Sequence, residues 1–269
     1  MKRFERVLLA SDMDGTLLSS SRLISRENRE ALQWFTEQGG HFCVATGRAV
    51  EVTKMYFNDV PVNAPYICLN GALVYGTDGT LLRHNSMPED TLFLLDTARK
   101  VSPGIGVEVY IREKIFILHS SPLTEQHFRM LCIQPPHITL EKLPPCTEWS
   151  KMNLTGTPEE IARLQKALEP FKDRFSTASS MPSFCEVTAI SATKGTAVAQ
   201  AAELCGIQTE NVYTAGDSAN DLSMIQAFYS FAPENCEPVI RKAANEIVCD
   251  NDHGAIAQII CVLAKRYPD

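Results

Sequence analysis

The chain has 269 residues, a formal net charge of −7 at pH 7 and 45% hydrophobic residues. This length allows one large domain or two moderate ones, each with a hydrophobic core. The acidic balance argues against a broad nucleic-acid surface, which normally has a basic excess. No apolar run reaches the length of a signal peptide or a membrane span, and the nine cysteines form no C-x-x-C pair. We therefore expect a cytoplasmic protein with reduced cysteines that binds neither nucleic acid nor a membrane.

Two closely spaced carboxylates follow the first predicted strand. The apolar run Val7–Ala10 predicts a buried strand, and Asp12 and Asp14 come directly after it, before Gly15 and Thr16. Open α/β sheets place their ligands at the carboxyl ends of their strands, where this loop would lie. A calcium loop of the D-x-D type is excluded, because its twelfth position needs glutamate and is leucine here. From these residues alone, an ordinary acidic turn stays open as the alternative.

Strands and helices alternate through the next fifty residues. We predict a helix between Ser25 and Gly39, a strand at His41–Ala45, a helix at Ala49–Phe57 and a strand at Tyr66–Leu69. The first of these strands leads into Thr46-Gly47-Arg48 and the second into Asn70-Gly71-Ala72. This alternation is typical of an α/β fold with a doubly wound parallel sheet.

The middle of the chain has a different order of elements. We predict a hairpin over Leu73–Arg83, a helix at Pro88–Val101, strands at Gly106–Ile111 and Lys114–His119, a loop at Gln134–Pro145, a strand at Lys151–Thr155, a helix from Thr157 to Glu169, and strands near residues 174–176 and 184–188. Because the parallel rhythm is lost, residues 83–188 are expected to form an inserted α+β domain. Residues 1–82 and 189–269 would form the core around it.

The parallel rhythm resumes after the insert. Lys194 opens a predicted helix that ends at Gly206, and the strand Asn211–Ala215 leads into the polar loop Gly216–Asp221. Further predictions are strands at Tyr229–Ala232 and Glu246–Cys249 and a final amphipathic helix at Ala255–Arg266.

The reactive side chains now stand in four loops or helix starts, which carry Asp12 with Asp14, Thr46, Lys194, and Asp217 with Asp221. Their order and spacing resemble the four motifs of the haloacid dehalogenase-like phosphatases: D-x-D-G-T, T-G-R, K-G and G-D-x-x-N-D. The insert lies between the second and third motifs, as does the class IIB cap of the Cof-like branch. The run Leu69–Ala72 is similar to that branch's S/C-N-G-A signature. The resemblance implies a Rossmann-like core, residues 1–82 and 189–269, with an α+β cap, residues 83–188.

The resemblance also implies an activity, a phosphatase that uses Mg²⁺ to hydrolyse a small phosphorylated metabolite, typically a sugar phosphate. Hydrolysis of a phosphate monoester is very slow without a catalyst, and an attacking carboxylate is repelled by the phosphate dianion. A divalent metal held by oxygen ligands removes that repulsion. By the same resemblance, Asp12 is the nucleophile that forms an aspartyl-phosphate, and Asp14 is the general acid and then the general base.

The resemblance assigns further roles to single residues. Mg²⁺ would be held by the Asp12 carboxylate, the Asp14 backbone carbonyl and Asp217, with Asp221 accepting from a water on the metal. The phosphoryl group would be bound by Thr46, Gly47, Lys194 and Asn220, with Asn220 orienting either Lys194 or the phosphate. Arg48, Asn70 and Gly71 would line the substrate cleft. Glu186, at the end of the last strand of the insert, could contact the substrate, but we interpret it as an acidic surface position.

Two other functions stay open. A phosphomutase has a cap at the same place, but it needs several basic cap groups for a second phosphate, and Arg112, Lys114 and Arg129 form no arginine-bearing run. A catalytically idle binding protein usually lacks one motif residue, and all are present here. A dehalogenase is disfavoured, because it needs neither Asp14 nor a metal. Residues 230–236 depart from the G-x-A-M-G-N-A run of many Cof-like proteins, so we expect the loop beside the Asp217 motif to differ.

Overall fold

The computed structural model describes residues 2–178 and 181–268. Its strands are β1 (Leu8–Ser11), β2 (His41–Val44), β3 (Tyr66–Cys68), β4 (Leu73–Tyr75), β5 (Leu81–His84), β6 (Gly106–Ile111), β7 (Lys114–His119), β8 (Trp149–Thr155), β9 (Phe175–Ala178), β10 (Phe184–Ala189), β11 (Val212–Ala215), β12 (Tyr229–Pro233) and β13 (Glu246–Val248). Its α-helices are α1 (Arg26–Glu37), α2 (Val50–Lys54), α3 (Phe93–Val101), α4 (Pro122–Leu131), α5 (Pro158–Leu168), α6 (Lys194–Cys205), α7 (Leu222–Ala227), α8 (Pro238–Ala243) and α9 (Ala255–Arg266).

The chain divides into two compact units, one of Met1–Arg83 with Thr193–Asp269 and one of His84–Ala192. The boundaries predicted from the sequence were 82/83 and 188/189. Both boundaries lie later in the structure, at 83/84 and 192/193. Ile190 belongs with the second unit because its N–H donates to the carbonyl of Arg174 at 3.0 Å. That the second unit acts as a cap stays a prediction. Among the described residues, none of the helices has both the length and the apolar composition that a membrane crossing needs.

The first unit contains a five-stranded parallel sheet in the order β13-β12-β11-β1-β2. The central strand β1 is buried along its whole length, as expected for a parallel sheet covered on both faces. Leu8 and Ala10 of β1 pack in one cluster with Val198 of α6, while α1 and α9 pack against each other. The predicted fold class, α/β with a doubly wound parallel sheet, is confirmed.

A second, three-stranded sheet in the same unit has the order β3-β4-β5. β3 and β4 pair antiparallel, and Ala45 forms an isolated parallel bridge with Ile67, so this sheet continues from the end of β2. The predicted hairpin over Leu73–Arg83 is confirmed as β4 and β5, with Gly76 donating its N–H to the carbonyl of Thr80 at 2.8 Å.

The second unit is an antiparallel sheet in the order β7-β6-β8-β10-β9. Successive side chains of a strand point to opposite faces. One face is apolar and is covered by α3 and α5, with Leu94, Trp149, Leu154 and Leu164 in its core. The other face carries polar side chains, and α4 packs against its strand β6.

Four helices differ from the sequence predictions, and one of them is α2, which ends at Lys54 and not at Phe57. α4 was not predicted, because its polar Thr-Glu-Gln-His run interrupts the apolar pattern of a helix. The structure shows that Ser121 caps this helix by accepting the N–H of Thr124 at 3.1 Å. α8 was also missed, because it is only six residues long. The prediction that α3 begins at Pro88 was wrong. Residues 89–92 form turns instead, and the N–H of Thr91 bonds to the carbonyl of Pro88 at 3.1 Å.

Candidate active site

Asp12 lies at the carboxyl end of the central strand. Its N–H donates to the carbonyl of Ala215 at 2.9 Å, so the ends of β1 and β11 meet here. The Asp12 side chain is 6% exposed. Gly15, three residues later, has a φ of +74°, which lets the loop turn back over the sheet. The sequence prediction that this loop leaves a buried strand is confirmed.

Lys194 connects two of the predicted motif residues. Its Nζ lies 2.6 Å from Asp12 Oδ1 and 2.6 Å from Asp221 Oδ1, and the lysine side chain is fully buried. Burial opposes the charged form, but the two carboxylates outweigh burial and raise the pKa of Lys194 above its ordinary value. The lysine is therefore a fixed positive charge at the end of β1.

Asp221 is held by hydrogen bonds on both of its carboxylate oxygens. Oδ1 accepts from Lys194, and Oδ2 accepts the backbone N–H groups of Asp217 and Ser218, each at 3.0 Å. A Cβ on Gly216 would lie 2.5 Å from the Asp221 Cβ, so the loop closes this tightly only with glycine there. Asp221 thus fixes both Lys194 and the Asp217 loop.

Asp217 faces the first motif. Thr16 Oγ1 donates to Asp217 Oδ1 at 2.9 Å, and a Cβ on Gly15 would lie 2.4 Å from Asp217 Oδ2. Burial, together with the Asp221 charge, raises the pKa of Asp217 to about 6, although the Thr16 hydrogen bond and Lys194 lower it. The first and fourth motifs, far apart in sequence, therefore form one site.

Asp12, Asp217 and Asp221 form the acidic cluster that could hold a metal ion. One carboxylate oxygen from each lies within 4.8 Å of the others. Burial raises the pKa of Asp12 well above its ordinary value, and the Asp221 and Asp217 charges add to this against the opposing effect of Lys194. Three carboxylates therefore share one ammonium group. An oxygen-only site short of positive charge fits a hard divalent cation.

Asp14 contacts a different cation. Arg48 Nε donates to Asp14 Oδ2 at 2.7 Å, and Nη2 donates to Oδ1, which makes a bidentate pair. The Asp14 side chain is 55% exposed and that of Arg48 is 17% exposed. The guanidinium also lies over the ring of Tyr56, with its Cζ 5.2 Å from the ring centroid. Asp14 is therefore accessible to solvent and is paired with Arg48.

The Thr46 loop contacts the Asn70 loop through backbone groups. Asn70 donates its N–H to the Thr46 carbonyl at 3.0 Å, and Thr46 Oγ1 accepts the N–H of Arg48 at 3.2 Å. A Cβ on Gly47 would lie 2.9 Å from Asn70 Oδ1. That same Oδ1 accepts from Asn220 Nδ2 at 3.1 Å. Asn220 thus bonds to Asn70, and no hydrogen bond to Lys194 occurs among the described residues.

Leu69, Asn70 and Gly71 all have positive φ angles, of 52°, 57° and 103°. This conformation costs free energy in residues other than glycine, so the surrounding contacts must impose it. A Cβ on Gly71 would lie 2.2 Å from the carbonyl oxygen of Thr193. Because Thr193 is the N-cap of α6, the glycine brings this turn against the helix that begins with Lys194.

Sequence reasoning missed three residues of the site. Tyr56 supports Arg48, and Ser223 Oγ accepts the N–H of Gly195 at 3.0 Å. Asn235 donates from Nδ2 to the Gly15 carbonyl at 2.8 Å, so it holds the first motif from the loop at residues 230–236. A signal for Asn235 was present, because it is the asparagine that this loop shares with the G-x-A-M-G-N-A run. Tyr56 and Ser223 carried no such signal.

Comparison with known proteins identifies the family of the chain. The family of haloacid dehalogenase-like hydrolases matches residues 9–260, and the chain belongs to this family. The chain is 28% identical over 286 residues to the 5-amino-6-(5-phospho-D-ribitylamino)uracil phosphatase YwtE of Bacillus subtilis (strain 168), covering 94% of this chain and 96% of the relative. It is 25% identical over 257 residues to the phosphatase YcsE of the same organism, which carries the same substrate in its name, covering 94% of each chain.

The fold is shared with a sugar phosphatase of HAD subclass IIB, with a TM-score of 0.81 at 20% identity over 96% of this chain and 99% of that structure. The predicted class, a phosphatase of the haloacid dehalogenase-like family, is confirmed. The protein is an enzyme, a hydrolase that acts on a small phosphorylated substrate.

Proposed function

We propose that the protein is a Mg²⁺-dependent phosphatase that hydrolyses a sugar phosphate, or a similar small metabolite, through an aspartyl-phosphate at Asp12. The observation that supports this most is the buried contact of Lys194 with Asp12 and Asp221, at 2.6 Å each, beside Asp217. This cluster places a nucleophile, a fixed cation and oxygen ligands for a metal together at the carboxyl end of β1. A cytoplasmic location stays part of the proposal.

In the first step, the Asp12 carboxylate forms a bond to phosphorus while the bond from phosphorus to the leaving oxygen breaks. Asp14, two residues further and exposed to solvent, gives its proton to that oxygen. In the second step Asp14 takes a proton from water, which attacks phosphorus and restores the Asp12 carboxylate. The two steps release an alcohol and inorganic phosphate.

The metal would be held by the carboxylates of Asp12 and Asp217 and by the backbone carbonyl of Asp14. When bound, Mg²⁺ would supply the positive charge that lets an anionic nucleophile approach a phosphate dianion. Both Asp221 oxygens already accept hydrogen bonds, so we assign Asp221 to fixing Lys194 and the Asp217 loop, next to the metal ligands.

Phosphoryl oxygens would be bound by Lys194, the Thr46 hydroxyl, the Gly47 N–H and Asn220. Lys194 suits this role because it is a compact, fully buried ammonium group. Arg48 would orient Asp14, and the turn of Asn70 and Gly71 would hold Asn220 and the start of α6 in place. The substrate class follows the names of the relatives, one with a phosphorylated ribityl group and one with a sugar.

The test is phosphate release from a panel of sugar and polyol phosphates, including 5-amino-6-(5-phospho-D-ribitylamino)uracil, with Mg²⁺ or with EDTA. We expect turnover with Mg²⁺, none with EDTA, and none in Asp12→Asn. The exposed Asp59→Asn is the matched control and should keep wild-type activity. Interconversion of phosphate isomers without release would indicate a mutase, and neither reaction would indicate an idle protein.

A further inference from the structure

Asn235, on the loop after β12, connects two segments from opposite ends of the chain. Its side-chain Nδ2 donates to the Gly15 carbonyl at 2.8 Å, and its Oδ1 accepts the N–H of Asn251 at 3.0 Å. The amide has one orientation here, because the reversed one would set its oxygen against a carbonyl oxygen and its NH₂ group against an N–H. Asn235 therefore ties the Gly15 turn to the segment before α9 through two directed hydrogen bonds.

The residues next to Asn235 contact the Asp217 loop. The N–H of Glu237 donates to the Asp217 carbonyl at 2.8 Å. Between these residues the chain makes a turn, in which the N–H of Cys236 bonds to the carbonyl of Pro233 at 3.0 Å. Positions 235 and 237 thus bond to one backbone carbonyl of the first motif and one of the fourth. This short segment therefore links the two loops that carry the acidic cluster.

The Gly15 carbonyl controls a contact between those two loops. Glycine has no Cβ to restrict its backbone, and Gly15 has a φ of +74°. Its carbonyl and the N–H of Thr16 lie in one planar peptide group, so the hydrogen bond from Asn235 fixes the rotation of that group. Thr16 Oγ1 donates to Asp217 Oδ1 at 2.9 Å. The placement of Thr16 against Asp217 therefore depends on Asn235.

Asn251 anchors the other end of the same loop. Its side-chain Nδ2 donates to the Leu18 carbonyl at 2.8 Å, and Asn251 is only 8% exposed. The N–H of Leu18 in turn bonds to the carbonyl of Met13 at 2.8 Å. The loop after β1 is thus held at Gly15 and at Leu18 by two asparagines that are hydrogen-bonded to each other.

The exposure of Asn235 separates its effect on the loop from an effect on folding. Its side chain is exposed, so shortening it leaves no cavity in the core. Water can replace hydrogen bonds at an exposed position, and the stability of the fold should change only slightly. A large effect on metal binding would therefore come from the geometry of the loops.

We propose that Asn235 is a positioning residue for the divalent metal. The inference rests on the proposed function, in which the Asp14 backbone carbonyl and the Asp217 carboxylate are metal ligands. The Asp14 carbonyl belongs to the peptide group directly before Gly15, so the two ligands come from the two loops that Asn235 joins. Loss of a group that orients metal ligands without binding the metal typically lowers metal affinity by roughly 10–100-fold.

The test is Mg²⁺ binding to the full chain without substrate, measured by isothermal titration calorimetry, followed by phosphate release at varied Mg²⁺ concentration. Asn235→Ala should raise the Kd for Mg²⁺ roughly tenfold or more, and kcat at saturating Mg²⁺ should fall by a smaller factor. Asn235→Leu keeps the side-chain volume but loses the same two hydrogen bonds, so it should weaken Mg²⁺ binding as well. It decides the outcome if Asn235→Ala does not fold.

Asn63 provides the matched control, because its exposed amide also bonds to two backbone groups. Its Oδ1 accepts the N–H of Phe42 at 2.7 Å, and its Nδ2 donates to the Gly40 carbonyl at 2.9 Å. These contacts lie at the amino end of β2, whereas Asp12 follows the carboxyl end of the parallel strand β1. Asn63→Ala should lower the urea midpoint at least as much as Asn235→Ala and leave the Kd for Mg²⁺ unchanged.

A wild-type Kd in the folded Asn235 variants would overturn the inference. So would an equal loss of Mg²⁺ affinity in Asn63→Ala, or a failure of both Asn235 variants to fold, since either result would make the role of Asn235 purely structural. A wild-type protein that binds no Mg²⁺, or releases no phosphate from any ester, would instead overturn the proposed function.

Discussion

Arg48 holds both carboxylate oxygens of Asp14, with Nε 2.7 Å from Oδ2. Lysine cannot form such a pair, because it has one nitrogen in place of a planar fork. Arg48→Lys is therefore expected to lower kcat about tenfold, which corresponds to a rise of ~1.4 kcal/mol in the activation free energy. The change in KM should be smaller. Steady-state kinetics on the best ester of the panel measures this.

The exposed Arg26 pairs with Glu30 at 2.6 Å, so Arg26→Lys is the control and should match the wild type. Wild-type kcat in Arg48→Lys would show that Asp14 needs no orientation by a guanidinium group.

Lys194 is the one cation that contacts Asp12 and Asp221 among the described residues. Lys194→Met keeps most of the side-chain volume but leaves buried carboxylates without their partner. We expect a loss of about 3–5 kcal/mol in the free energy of unfolding, measured by urea denaturation in EDTA. Mg²⁺ should restore part of that loss, because it supplies positive charge to the same carboxylates. Unchanged stability in EDTA would contradict this account, and the exposed Lys172→Met is the control.

Gly71 has a φ of +103°, and a Cβ there would lie 2.2 Å from the Thr193 carbonyl oxygen. Gly71→Ala should therefore lower the free energy of unfolding by about 1–3 kcal/mol. It should also reduce activity, since Thr193 directly precedes Lys194. Gly104→Ala is the matched control, because its Cβ would come no closer than 3.7 Å to the Ser102 hydroxyl. If both variants unfold at the wild-type urea midpoint, the close approach of Gly71 to Thr193 does not contribute to the free energy of unfolding.

His41 is half-buried, and its burial lowers its pKa below the ordinary value of 6.5, against a hydrogen bond with the backbone of Glu5. The unfolded chain therefore takes up the proton more readily, so stability is full above pH 6.5 and is lost as pH falls. His41→Gln removes this group, and its melting temperature should fall less than that of the wild type between pH 7.5 and 5.

The exposed His253 has the opposite shift, because the Asp250 carboxylate raises its pKa. Its contribution is present at low pH and lost as pH rises, so His253→Gln should not flatten the acid side of the curve. Parallel melting curves for wild type and His41→Gln would rule out His41 as a source of acid sensitivity.

The parallel core was predictable because its strands are short apolar runs that each end in a polar loop. His41–Ala45 and Asn211–Ala215 were placed within one residue of β2 and β11. The left-handed turn at Leu69 was not predictable, because its backbone is imposed by Thr46 and Arg48, which are distant in sequence. Backbone propensity describes the φ and ψ angles that a residue type prefers by itself, and leucine in this turn has a positive φ that it does not prefer.

The sequence predicted which residues form the site, but it did not predict which of them contact each other. The motifs gave Asp12, Lys194 and Asp221, yet no spacing rule shows that Lys194 bridges the other two. The interpretation of Glu186 as an acidic surface position is wrong, since its side chain is only 13% exposed and accepts from Lys151 Nζ at 2.8 Å. A single carboxylate on a strand looks the same in the sequence whether it faces water or a lysine. Only the register of β6, β8 and β10 brings the partners together.

The sequence separation of Asp12 and Lys194, 182 residues, has a consequence for synthesis on the ribosome. The buried ion pair cannot form until Lys194 has been made, and β1, which lies between β2 and β11, lacks one neighbouring strand until β11 follows. Translation at roughly 5–20 residues per second leaves Asp12 without its counterion for roughly 10–40 s. The second unit is continuous, from His84 to Ala192, and is complete before Lys194 emerges. We therefore expect the inserted unit to fold before the catalytic unit.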